Sequence, residues 1–242
     1  MDRGLYIAAS GMIADQIRQD QLANDLANTS TIGYKADRSA QRSFGSMLIA
    51  ERGTGQVLGT ATLGTEIAEI RTNFAPAPIR ETHEPLDIAL DGEGFLAVRT
   101  PAGVRYTRDG ELRRAEDGTL VTATGNQVLG TDGNTIKIAS EADAVIGGDG
   151  AVTSGGATVG KIAVVTLTNP AKEGVTLFTG TAGPAPTSFS LRQGFLETSG
   201  VDSAQIMVEM MASMRAYESA QRVIHAIDDT LGKGIQAAQI GS

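Results

Sequence analysis

Apolar positions along this chain follow three rhythms. Near the start, Leu5, Ala9, Met12, Ile13 and Ile17 recur at three- and four-residue spacing, and Leu22 and Leu26 resume the pattern after the polar run Arg18, Gln19, Asp20, Gln21. This is the spacing of an amphipathic helix. Asn28, Thr29 and Ser30 end it and Gly33 follows as a breaker, so the pattern predicts a helix of roughly 25 residues. Ala at 8, 9, 14, 23 and 27 leaves little apolar area on that helix, but lets a neighbour come close.

The end of the chain supplies a neighbour. Ile206, Met210, Met214, Tyr217, Ala220, Ile224, Ile227 and Leu231 step by three or four, an a/d-type stripe that packs against another helix. Asp202 is the expected N-cap, with Gln205 three residues on as a capping-box variant. A second row, Met207, Met211 and Val223, widens the face beyond what one partner helix covers. The methionines between 207 and 214 give a deformable surface.

Between these helices, from about Glu81 to Glu197, the rhythm changes to short β-type segments such as "FLAVRT", "GVRYTR", "TLVTA" and "KIAVVTLT". Asp-Gly pairs at 91–92, 109–110, 117–118, 132–133 and 149–150 are each read as a hairpin turn. Residues 36–80 carry Gly at 53, 55, 59 and 64 and close on "APAPI", which reads as an extended arm with some strand. The expected fold class is α+β. Terminal helices pack as an α-helical coiled-coil-like domain, with a mostly antiparallel all-β middle domain of many short strands. The expected boundaries are 1–35, 36–80, 81–199 and 200–242.

Composition narrows the function. Of 242 residues 30 are Gly, aromatics are 4% and Trp is absent, which fits strands and tight turns around small aliphatics, not a deep pocket. A net charge of −8 argues against a general affinity for nucleic acid or anionic lipid. Without cysteine, disulfides, thiolate nucleophiles and Cys-based metal sites are excluded. No apolar run approaches the roughly 18 residues of a membrane span. The opening "MDRGLYIAASGMIADQ" lacks the basic leader and unbroken apolar core of a secretory signal.

Two motifs imitate nucleotide sites. Gly155 to Lys161 matches G-x-x-x-x-G-K, but Ile162 follows where magnesium binding needs Ser or Thr, and a strand is expected where a helix is needed. Gly92, Gly94 and Ala97 match G-x-G-x-x-A, again with strand to follow. His83 and His225 are the only histidines, at no metal-ligand spacing. The acidic turns lack the alternating ligands of a calcium loop. No catalytic residue, cofactor or metal site is expected, and the chain does not read as an enzyme.

Three blocks carry a resemblance. Ala23, Asn24, Leu26, Ala27, Asn28, Thr31, Gly33, Tyr34 and Lys35 match an Ala-Asn-Asn-Leu-Ala-Asn…Thr-x-Gly-Tyr-Lys signature, with Asp25 in place of the second Asn. "PLDIALDGEGF" and "YTRDG" match Leu-Asp-x-Ala-x-x-Gly-x-Gly-Phe and Tyr-Thr-Arg-x-Gly. "ETSGV…MASMRAYE" matches Glu-x-Ser-Asn-Val…Met-x-x-x-Arg-Ala-Tyr-Glu, with Gly200 for Asn. In these blocks the chain resembles the rod-and-hook family of the bacterial flagellum. Its length and the continuation "GYKADRSAQRSFGSMLI" are closer to the proximal-rod type than to the distal-rod type.

The resemblance implies a structural subunit of the basal-body rod, polymerising as a helical tube with terminal helices near the axis and the β domain outside. It implies torque transmission around an export channel, and passage through the flagellar export apparatus without a cleaved leader. The implied partners are that apparatus and other rod subunits, itself included, with no nucleic acid and no membrane span. The implied place is the rod in the cell envelope. The expected assembly interface is Leu5, Ala9, Met12, Ile13, Ile17, Leu22, Asn24, Leu26 and Asn28 with Ile206, Met210, Met214, Tyr217, Ile224, Ile227 and Leu231. An alternative is an exported cell-wall-binding β module that dimerises through its helices. The scarcity of aromatics (Phe95, Tyr106, Phe178, Phe189) for a glycan surface speaks against it.

Overall fold

A computed structural model of the chain describes residues 2–43, 45–50, 57–62, 64–141 and 143–240. Met1 of the expected first helix, Gly53 and Gly55 of the expected arm, and residues 241–242 of the expected last helix lie outside them. The periodic termini are helices: α1, Asp2–Ala27, and α2, Ser203–Ile240. Asp202 caps α2, its Oδ1 accepting from the backbone N–H of Ala204 at 2.9 Å and of Gln205 at 3.2 Å. This satisfies donors that a helix start otherwise leaves open. The Gln205 side chain does not reach back as a capping box requires; it donates to Glu209 at 2.9 Å.

The chain forms two units. The first gathers α1, residues 37–71 and the stretch from Asp202 on; the second gathers Asn28–Ala36 and Thr72–Val201. The sequence-based boundaries at 35 and 80 differ from these. Most of the stretch read as an arm pairs as strands within the helical unit, Asp37–Ser43 with Thr65–Thr72 and Ser46–Ala50 with Val57–Thr62. The "STIGYK" end of the first signature belongs to the β unit.

In the helical unit α1 and α2 pack antiparallel. Ser213 donates to the Asp15 carbonyl at 3.3 Å, Arg18 lies 3.6 Å from Glu209, and a Cβ on Gly4 would stand 3.5 Å from Ile227 Cδ1. Rising numbers on α1 meet falling numbers on α2. At 3.6 residues per turn, Gly4, Asp15 and Arg18 share one line of α1. The large side chains Ile13 and Ile17 lie about half a turn away, which differs from the simplest reading of the stripe. Gly4 lets α2 approach one face, where Leu22 is also buried, and Ile13 and Ile17 are left to another.

The β unit is built on an antiparallel sheet. Its order is Leu167–Glu173, Leu177–Ala182, Gly103–Thr107, Phe95–Thr100, Gln127–Val128, Leu120–Thr122 and Leu112–Arg114, with Val164–Val165 also on Phe95–Thr100. A three-stranded sheet (Val145–Ile146, Ala151–Ser154, Ala157–Lys161) and two strand pairs complete it. The core is aliphatic, as the composition predicts: Ile88, Leu96, Val98, Leu120, Val128, Val152 and Ile162 are almost fully buried. Three phenylalanines, 74, 95 and 178, add a cluster with ring centres 5.4–5.7 Å apart, Phe74 meeting the other two edge to face. Phe95 and Phe178 are thus interior residues and offer no surface platform for a sugar.

Three of the Asp-Gly pairs, 117–118, 132–133 and 149–150, are turns between adjacent strands or bridges. The other two are not hairpins. Asp91-Gly92 ends the strand Ile88–Gly92, which pairs with Phe189–Gln193 far along the chain. Asp109-Gly110 joins two strands that pair elsewhere. Gly155 and Gly156 form a turn into the strand Ala157–Lys161, and Lys161 is held by Asp149 at 3.1 Å. The local structure there lacks the helix a phosphate loop needs.

Candidate functional site

Two features stand out, one in each unit. In the helical unit it is exposed apolar surface. Leu22 and Ile206 are buried; Ala9, Met12, Leu26, Met210, Tyr217, Ile224, Ile227 and Leu231 are half-buried; Leu5, Ile13, Ile17, Asn24 and Met214 are exposed. The expected interface residues therefore divide. Some serve the pairing of α1 with α2, and others face away from it. Ile13 and Ile17 line an apolar groove of about 320 Å³ with Tyr6, Ala9, Ala14 and the strand residues Thr65 and Ile67. Met207, Val208, Met211 and Met214 form an exposed row on α2. Ile235 continues the α1-facing line of α2 beyond the position of Ile227 and is 61% exposed.

The contrast with the β unit is large. Among the described residues, the exposed large apolar side chains there are isolated valines: 104, 145, 159 and 175. Scattered single residues of that kind are ordinary on a protein surface, whereas rows of them mark contact.

The second feature is a buried ionic junction in the β unit. Glu197, Lys35 and Arg108 are each 4% exposed or less. Glu197 Oε1 accepts from Lys35 Nζ at 2.6 Å and from the Ala77 N–H at 2.8 Å; its Oε2 accepts from Arg108 at 3.2 Å. Lys35 also donates to the Ala75 carbonyl, and Arg108 to those of Leu90 and Gly92. Burial pushes the Lys35 amine below its usual range, against the pull of Glu197 in the other direction. Charges taken out of water need such partners, and here only Arg108 Nε is buried without one.

Local backbone geometry brings the three together. Gly33, at φ 66°, donates to the Glu197 carbonyl at 3.0 Å, and Gly200 donates to that of Tyr34 at 2.9 Å. A Cβ on Gly33 would come within 2.5 Å of the Arg108 carbonyl carbon, so only glycine fits. Gly110 is equally constrained, since a Cβ there would stand 1.7 Å from the Ile88 carbonyl oxygen. Lys172 covers the loop, its Nζ 3.9 Å from the Tyr34 ring centre and 2.8 Å from the Lys35 carbonyl oxygen. The segment that follows α1 and the segment that precedes α2 are thus fastened to each other.

Each member of this junction stands in one of the three signature blocks, although residue type and spacing alone do not link them. The two departures from those blocks also find their places. Asp25 is buried and its Oδ1 accepts from the Asp37 N–H at 3.4 Å, a task needing only an acceptor. Gly200 contributes its backbone N–H. Asn28, expected at the assembly interface, accepts from the Thr31 hydroxyl at 3.1 Å.

Among the described residues no group of His, Asp and Glu is arranged to hold a metal ion, and no helix is long and apolar enough to cross a membrane.

Comparison with known proteins matches the same regions. Residues 5–35 match the family described as flagella basal body rod protein. Residues 89–154 match the flagellar hook protein FlgE/F/G D1 domain, and 192–237 the flagellar basal body rod FlgEFG protein C-terminal family. The flagellar basal-body rod protein FlgG of Bacillus subtilis is 34% identical, over 96% of this chain and 97% of its own. The flagellar hook-basal body complex protein FlhO of the same organism is 32% identical over 100% and 99%. The flagellar basal-body rod protein FlgF of Caulobacter vibrioides is 32% identical over 93% of each.

Proposed function

The chain belongs to the flagellar basal-body rod protein family, and from that premise we propose that it enters the rod through its helical unit. It is a structural subunit of the basal body, similar over its length to rod proteins. The observation that carries the assembly reading is the distribution of exposed apolar side chains. They stand in rows on α1 and α2 and only singly on the β unit. Burying such rows against neighbours supplies the free energy of association.

In this reading the helices build the wall of the tube around an export channel, and the β unit is a preformed body carried on them. The buried junction holds the two helix-flanking segments at one fixed spacing while torque passes through the subunit. The chain reaches the rod through the flagellar export apparatus. Relatives named FlgG and FlgF match at nearly equal identity; the proximal position rests on the chain's length and on the stretch from Gly33 to Ile49. The test is complementation of a strain lacking the gene. A charge on the helical faces, Ile17→Glu with Met214→Glu, abolishes motility and removes the chain from purified basal bodies. Val145→Glu with Val159→Glu on the β unit leaves both intact. Equal behaviour of the two pairs would defeat the reading.

A further inference from the structure

α1 and α2 each keep an apolar surface that their own pairing does not use, and the two surfaces differ in form. That of α1 is concave: the groove of Tyr6, Ala9, Ile13 and Ile17 against Thr65 and Ile67. That of α2 is a ridge of Met207, Val208, Met211 and Met214, exposed by 48–61%. The groove lies about half a turn round α1 from the line that meets α2. The ridge likewise lies nearly half a turn round α2 from the line that meets α1. A chain therefore cannot seat its own ridge in its own groove.

The two surfaces suit each other. At about 1.5 Å per residue the ridge runs roughly 10 Å and the groove roughly 16 Å, so the ridge fits lengthwise. Unbranched methionines adapt to an irregular cleft. The groove wall carries Glu66, shared with Arg42 at 2.8 Å, and Arg215 stands exposed one turn beyond Met211 on the ridge. Opposite charges at the rim favour one register of contact.

We propose that the methionine ridge of one copy seats in the α1 groove of a second copy, joining chains head to tail. This rests on the reading of the helical unit as the assembly surface and names the pair of faces that meet. Because the faces are different patches, the contact does not close on two copies. Each added chain presents a free groove and a free ridge, the arrangement that propagates as a ring or a helix.

The absence of cysteine makes the test direct. Ile13→Cys marks the groove and Met211→Cys the ridge, both at exposed positions. Basal bodies are purified from cells carrying the variants, oxidised, and probed for this chain. The double variant gives a ladder of dimers, trimers and higher multimers. Each single variant gives monomer, and the two single variants expressed together stop at dimer. Dimers from one single variant alone would mean a self-facing patch and overturn the proposal. So would a double variant that is present in basal bodies and yields no multimers. Absence of the unmodified chain from basal bodies would instead overturn the broader assembly reading, so the two failures are told apart.

Discussion

Lys35 Nζ lies 2.6 Å from Glu197 Oε1 although 162 positions separate them in the chain. Arg108 shares the same carboxylate, so Glu197 compensates two buried cations. Glu197→Gln leaves both without an anion and is expected to cost about 3–5 kcal/mol. Lys35→Met leaves the carboxylate paired to Arg108 and costs less. Urea denaturation of the two variants gives that order; equal or reversed losses would contradict the assignment of Glu197 as the shared partner.

Gly33 tests the same junction through the backbone. Gly33→Ala places a methyl 2.5 Å from the Arg108 carbonyl carbon, whereas Gly125, also at positive φ, has nothing within 4 Å of the corresponding position. Gly125→Ala is expected to cost about 1–2 kcal/mol, the strain of a left-handed conformation. Gly33→Ala costs distinctly more, as an earlier thermal unfolding midpoint.

Burial pushes the Asp109 carboxyl up to about 6, with Glu111 and Asp87 adding to the effect and the Glu111 N–H and Arg113 opposing it. A carboxyl value higher in the fold than in the unfolded chain means that folding takes up a proton. Its contribution to stability therefore grows as pH falls through 6 toward the unfolded value, and is lost as pH rises. Between pH 7.5 and pH 5 the gain is about 1–1.5 kcal/mol. Asp109→Asn keeps the acceptor for the Glu111 N–H but does not titrate. The difference in stability between parent and variant should shift by that amount across the range. A difference independent of pH would show that Asp109 titrates normally.

Among the described residues the helices bury few side chains (Ala14, Leu22, Asp25, Ile206 and Ser213), so free chain should open there first. Amides of α1 and α2 are expected to exchange at least about tenfold faster than those of Phe95–Thr100 at the centre of the main sheet. Equal protection in the unassembled chain would mean that the helical unit is stable without neighbours.

What the sequence disclosed follows from how local each feature is. Both helices were legible because residues at i, i+3 and i+4 carry the signal, and Asp202 announced its cap. The turns at Asp117, Asp132 and Asp149 were legible because each closes neighbouring segments. Asp91-Gly92 has the same two letters, yet Ile88–Gly92 finds its partner at Phe189–Gln193, and nothing local distinguishes the cases. The small residues of α1 announced a close neighbour, and Gly4 stands where α2 approaches, but spacing alone does not say which face that neighbour takes. The buried junction was hidden for a related reason. Lys35, Arg108 and Glu197 each look like solvated surface charges until the chain brings them together.

The central claim is that the helical unit builds the rod and the β unit is carried by it. It is tested most directly by ending the chain after Val201 and assaying purified basal bodies for the truncated protein. The account predicts that the β unit still unfolds cooperatively in urea, that the truncated chain is absent from basal bodies, and that the cells do not swim. A truncated chain that is found in the rod of normally motile cells would contradict it.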